Sequence, residues 1–113
     1  MITIDKLNQF GANTEEGLAR CFGNEALYIK LVATIPTEKN FDKLDGALKE
    51  GNLDEAFEAA HALKGALGNL SLTPIYEKIV EITELLRNKT EMDYSGMLSD
   101  ILRLRDELGE LCK

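Results

Sequence analysis

Tryptophan is absent from this sequence, histidine occurs once, and cysteine and proline occur twice each. The lone histidine, His61, has no second ligand at the i+3 or i+4 position, where Lys64 and Gly65 stand instead, so a metal site is not expected. Cys21 and Cys112 lie far apart and form no CxxC or Cys/His grouping. Neither a zinc site nor a redox pair is implied, and both are read as reduced thiols. Aromatic residues make up only 6% of the chain, which fits helical packing better than a sandwich of sheets. No apolar run approaches the roughly 20 residues of a membrane span, and no charged-then-apolar leader opens the sequence. A cytoplasmic location is therefore expected. Basic residues are the minority, 13 Lys and Arg against 20 Asp and Glu for a net charge of -7. Nucleic acid and anionic membranes are poor partners for such a chain, since both need a concentrated basic face.

What is present is enough for one folded domain. The chain has 113 residues, 44% of them hydrophobic and 29% charged, which is long enough for a single core and too short for two. No internal repeat, low-complexity segment or Gly/Ser linker marks a boundary, so residues 1–113 are read as one unit.

Helix punctuation recurs along the sequence, and no useful strand alternation competes with it. A short helix from about Ile4 to Phe10 is stopped by Gly11. Asn13 with Glu16 reads as a capping box for a second helix running to Phe22, ended by Gly23. Asn24 caps a longer pattern with Leu27, Leu31 and Ile35 on one stripe. Pro36 interrupts it before Phe41, Leu44 and Leu48 resume the period up to Gly51, so a kinked helix and two separate helices both fit. Asn52 with Glu55 opens a helix through His61 to about Leu70, and Thr73 as cap with Pro74 at the first helical position opens the next, with Ile75, Ile79, Ile82 and Leu86 as its stripe. After a polar turn from Asn88 to Asp93, Met97, Ile101, Leu104, Leu108 and Leu111 repeat at helical spacing. The expected architecture is all-α: an up-and-down antiparallel four-helix bundle with its core at about residues 24–112 and the short N-terminal helices packed at one end.

The stretch HALKGALGNLSL, residues 61–72, holds the most information. In this helix Leu53, Ala56, Phe57, Ala60, Leu63, Leu67 and Leu70 form the apolar stripe, and His61 points roughly 120° from its centre on a helix turning about 100° per residue. The imidazole should reach solvent. Gly65 and Gly68 fall on nearly the bearing of His61, although each interior glycine costs a helix roughly 1 kcal/mol against alanine. Lys64 lies one turn on, where its ammonium can swing toward the ring. An imidazole titrates near neutrality and is a good nucleophile there, and a phosphoryl group placed on it needs a nearby cation and open space. Surface position alone, with glycines serving close packing of a neighbouring helix, fits the same residues. No Ser or Cys is placed by sequence to pair with His61 in hydrolysis. Glu58, three residues before His61, is in reach of the imidazole but reads as a solvated glutamate.

The run His61-Ala62-Leu63-Lys64-Gly65, with small residues at Ala66 and Gly68, resembles the signature of histidine-containing phosphotransfer (HPt) domains. Gly23-Asn24-Glu25 with Leu27 and Tyr28, Gly51-Asn52 with Ala56, and Ile75 are similar to the family's pattern in the flanking helices, so the resemblance spans about Gly23 to Leu111. It implies a four-helix bundle whose exposed histidine takes a phosphoryl group from an aspartyl phosphate on a receiver domain and passes it to another receiver. On it, His61 is the phosphoacceptor and Lys64 steadies phosphoryl oxygens. Gly65 and Gly68 leave docking space. The divalent ion belongs to the receiver, so this chain needs no cofactor or metal of its own. The partners implied are response-regulator receiver domains, including one in a hybrid histidine kinase. The sequence departs from the family at Ser71, where glycine is common, and at Leu67, where a small residue is common; Leu67 falls on the core stripe.

The function expected is that of a phosphorelay intermediate, a phosphocarrier without ATP-dependent kinase activity, since no Gly-rich nucleotide loop is present. The alternative is a helical adaptor that binds receivers or other partners through the same face without phosphotransfer. A monomer is expected because every strong apolar stripe is committed to one core, and the full set of helices leans toward a freestanding protein.

Overall fold

The computed structural model describes residues 2–113, and within them the chain is helical, with no strand. The elements are α1 Ile4–Phe10, α2 Thr14–Arg20, α3 Glu25–Val32, a 3-10 turn Ile35–Thr37, α4 Asn40–Lys49, α5 Leu53–Asn69, α6 Thr73–Arg87 and α7 Ser95–Leu111. Three asparagine caps set the starts that the sequence predicts. Asn13, Asn24 and Asn52 each accept a hydrogen bond from the backbone N–H three residues on, at 3.1, 3.0 and 3.1 Å. At Asn13 and Asn52 the side-chain amide also donates to the glutamate of the box, at 3.2 Å in both cases. Each cap satisfies an N–H that the first helical turn otherwise leaves open.

The segment 24–51 is two helices, not one kinked helix. Pro36 supplies no N–H and disfavours helical backbone at the residue before it. The chain makes only the 3-10 turn there and leaves it extended at Glu38 (φ -65°, ψ 122°). The Glu38 carboxylate then accepts hydrogen bonds from the Asn40 backbone and side chain, where α4 begins.

Four boundaries and faces differ from the sequence reading. The second helix stops at Arg20, because Phe22 (φ 58°) and Gly23 (φ 72°) both turn left-handed, and Phe22 is left 95% exposed. On α3, Leu27 and Leu31 face outward while Tyr28, Val32 and the following Ile35 are buried. The cap of α6 is Leu72, which offers no side-chain hydrogen bond, and Thr73 is the first helical residue. On α7 the core takes Leu98 as well as Ile101 and Leu108, with Met97, Leu104 and Leu111 half-buried against it.

The rotation of α3 has a local cause. Its Tyr28 is fully buried and donates its hydroxyl to the Leu70 carbonyl at the end of α5, at 2.9 Å. Gly17 on α2 makes room for the ring, since a Cβ there would stand 2.5 Å from Tyr28 Cε1. That buried hydrogen bond fixes which face of a short, otherwise ambivalent helix turns inward.

α5 packs between α4 and α6, and α7 lies against α6 and the 3-10 turn. α1 packs on α2 and α7, and α2 on α3. The N-terminal pair is also tied to the turn between α5 and α6. The Asn13 N–H donates to the Ser71 carbonyl at 2.9 Å, and Gly11 lies so near Pro74 that a Cβ would meet its ring at 2.9 Å. One hydrophobic core results, running from Ile2 and Leu7 through Leu44, Leu63 and Ile79 to Leu108. The ion pairs, such as Arg20–Glu16 and Lys49–Asp45, lie on the surface and contribute little each.

Gly17→Ala should therefore destabilise the protein by about 1–3 kcal/mol through overpacking against Tyr28, read by chemical denaturation. Burial, with a smaller push in the same direction from Cys21, raises the Tyr28 phenol to about 12 from its ordinary 10.0. The unfolded chain loses this proton first, so the stability linked to it is intact below pH 10 and falls as the pH climbs toward 12. Tyr28→Phe should cost about 1 kcal/mol at neutral pH and flatten that alkaline loss in pH-dependent denaturation.

Candidate functional site

The site is built on α5, whose two faces do different work. Asn52 caps the helix, with Asp54 and Glu55 in its first turn, where acidic groups complement the positive end of the helix dipole. Ala56, Ala59, Ala60, Leu63 and Leu67 are buried on the inner face. The small side chains among them let the neighbouring helices approach closely. The opposite face carries His61, which is exposed, followed by half-buried Lys64, exposed Gly65 and half-buried Gly68. Neither His61 nor Lys64 has a hydrogen-bond or ion-pair partner among the described residues. Glu58 does not turn to the imidazole; it pairs with Lys43 of α4 at 3.8 Å.

The His61 ring is bordered by an aromatic neighbour. Phe57, one turn earlier, lies with its ring centroid 5.7 Å from that of His61, tilted by 38°. The Arg87 guanidinium from α6 stands 5.2 Å over the other aromatic partner in this stack, Phe57, within cation–π range. The sequence places Phe57 in the core stripe. Its i−4 spacing to His61 is the signal that reveals the ring contact, whereas nothing local to α5 announces Arg87.

The two glycines serve different ends. A Cβ at Gly65 would meet nothing within 4 Å, so no neighbour in this chain requires glycine there. A Cβ at Gly68 would lie 3.0 Å from Tyr76 Cε1, so glycine at 68 seats the α6 tyrosine against α5. Beside His61 opens a groove of about 620 Å³, with Lys64, Ser71, Tyr76, Asn13 and Arg20 among the residues on its walls. Its α2 wall was not legible from helical periodicity, because it arises from the tertiary tie between Asn13 and Ser71.

Ser71 ends α5 in the left-handed conformation (φ 54°) that favours glycine. It is 7% exposed, and its hydroxyl has no hydrogen-bond partner. Leu67 is fully buried, so the larger residue there belongs to the core, as its place on the stripe implies.

The family model of the Hpt domain matches residues 36–113. The chain belongs to the Hpt domain family. Hpt domains are phosphocarriers rather than kinases, and the assignment implies histidine phosphotransfer within a phosphorelay through receiver domains. The matched segment begins within the 3-10 turn, at Pro36, and holds α4 to α7 and the His61 face. Residues 23 to 35, which the sequence resemblance included, precede it. No curated protein and no solved structure matches the chain. Among the described residues of this Hpt protein, no helix is long and apolar enough to cross a membrane.

Ser71→Gly should restore the backbone freedom this turn asks for and remove the orphaned hydroxyl. A gain of about 0.5–1 kcal/mol is expected, measured as a shift in the denaturation midpoint at constant slope.

Proposed function

We propose that this protein is a phosphorelay intermediate in which His61 is the phosphoacceptor. One observation carries the reading: on the segment matched by the Hpt family, the chain's lone histidine is exposed and has no hydrogen-bond or ion-pair partner among the described residues, one turn from an unpaired Lys64 and the open backbone of Gly65. In the transfer, a neutral imidazole nitrogen attacks the phosphorus of an aspartyl phosphate. A P–N bond forms as the acyl-phosphate P–O bond breaks and the receiver's carboxylate leaves. The reverse step hands the group to the aspartate of a second receiver. Lys64 supplies positive charge to the phosphoryl oxygens as they pass, and bare Gly65 lets the receiver's backbone come close. Gly68 contributes by seating Tyr76 at the edge of the same groove. The divalent ion that shields the aspartyl phosphate belongs to the receiver, so on this reading the chain needs no cofactor or metal of its own for the step.

In this reading residues 1–113 act as one unit, with α4 to α7 as the up-and-down antiparallel bundle and α1 and α2 across the end where α5 meets α6. The short 50–52 and 70–72 connections support that arrangement, since such turns reverse the chain. The protein is a cytoplasmic monomer whose partners are receiver domains, including that of a hybrid histidine kinase, and it has no nucleic-acid or membrane role.

The test is incubation of wild type and His61→Gln with phosphorylated receiver domains and magnesium, without kinase, followed by intact-mass analysis. Wild type alone should gain one acid-labile, base-stable phosphoryl group. Binding without transfer in wild type would replace this reading with that of an adaptor. Gly65→Ala offers a second check. Alanine fits the open space and should stabilise the helix by up to about 1 kcal/mol, while slowing receiver-dependent transfer about tenfold or more by holding the receiver off the imidazole.

A further inference from the structure

We propose that α2 is a docking wall for the phosphorylated receiver, and that Arg20 is the cation by which this protein discriminates among receivers. The inference rests on His61 being the phosphoacceptor and adds an interaction surface outside the Hpt core.

α2 precedes the segment that the Hpt family matches, yet it forms one side of the groove beside His61. Asn13, Glu16 and Arg20 all face that groove, as their i, i+3 and i+7 spacing on one helical face allows. Two ties hold the wall in place: the Asn13 N–H to the Ser71 carbonyl and the seat of Tyr28 against Gly17. Arg20 is pre-aimed by Glu16, one carboxylate oxygen of which accepts from the Arg20 Nε and one terminal nitrogen at 3.2 and 3.0 Å. The guanidinium has further donors beyond these two, and its side chain is 50% exposed.

The occupant is fixed by continuity and charge. His61 and Lys64 share this groove with Arg20, so a receiver that brings its aspartyl phosphate to His61 lays the adjoining surface over α2. The whole chain carries a net charge of -7, which repels an acidic receiver at long range. Local cations at the contact must offset that repulsion; the groove carries two, Lys64 and Arg20, beside two carboxylates, Glu16, which is paired with Arg20, and Glu77. A charge on the rim of an interface acts mainly on encounter rate and partner choice.

The experiment uses the full chain and receiver domains from the same genome, each loaded by acetyl phosphate and magnesium. Transfer rates are measured over a range of receiver concentration and salt. For the best donor, Arg20→Gln should raise the receiver concentration giving half-maximal rate by about three- to tenfold and flatten the salt dependence. Arg103→Gln, a surface change on α7 away from the groove, should keep wild-type values. The double exchange E16R/R20E keeps an i,i+4 ion pair on α2, with its cation moved one turn, and should show the same loss even if the single variant unfolds. Wild-type values in both Arg20 variants overturn the proposal and leave the phosphotransfer reading standing. Phosphoramidate, a small P–N donor that needs no receiver, separates the remaining outcomes. Labelling of wild-type His61 by phosphoramidate with no transfer from any receiver overturns the docking wall and the relay step together, and leaves only the reactivity of His61 standing. No labelling from either source overturns the reading of His61 itself.

Discussion

The rest of this molecule depends on the partition of α5 into a face that must be buried and a face that must stay bare. Its inner side of Ala56, Ala59, Ala60, Leu63 and Leu67 is sealed between α4 and α6. Burial of that stripe supplies the hydrophobic free energy that holds the helix rigid. Rigidity is what lets the other side carry exposed His61, half-buried Lys64 and a glycine facing open space without collapsing onto them. A solvent-facing nucleophile needs no enclosing pocket if its backbone cannot move, and a helix packed on two sides meets that need at little cost to the exposed face.

Much of this was legible in the sequence because it is local. Asn13, Asn24 and Asn52 announce helix starts by chemistry that acts over three residues, and each makes the predicted hydrogen bond. The stripe of α6 is long and regular, and Ile75, Ile79, Ile82 and Leu86 are buried as their spacing implies. The outward bearing of His61 follows from counting along α5 in the same way. Where the reading failed, the deciding contact came from afar. On the eight-residue α3, leucines at 27 and 31 compete with Tyr28 and Val32 for the core, and periodicity has too few turns to choose. The choice is made by a hydroxyl reaching the Leu70 carbonyl, 42 residues on. Arg87 over Phe57 and the α2 side of the groove were unreadable for the same reason.

The end of α5 shows local and distant demands meeting at one residue. Ser71 accepts the strain of a left-handed backbone and leaves its hydroxyl unpaired, while its carbonyl receives the N–H of Asn13. Any residue type could offer that carbonyl, so the tie to α2 does not explain serine. A strained residue with an unmet polar group is where local rules and function are expected to part company.

His61 is the only imidazole in the chain, and it lies on one open face beside one groove. On the proposed reading, two receivers cannot occupy that face together. Donor and acceptor must take turns, and every visit ends with a dissociation before the next begins. The traffic through such a relay is then governed by residence time. A receiver that binds too well blocks the queue, and an abundant unphosphorylated receiver acts as a competitive inhibitor of the pathway it serves. Weak, quickly reversible docking is therefore a requirement that this geometry places on its partners.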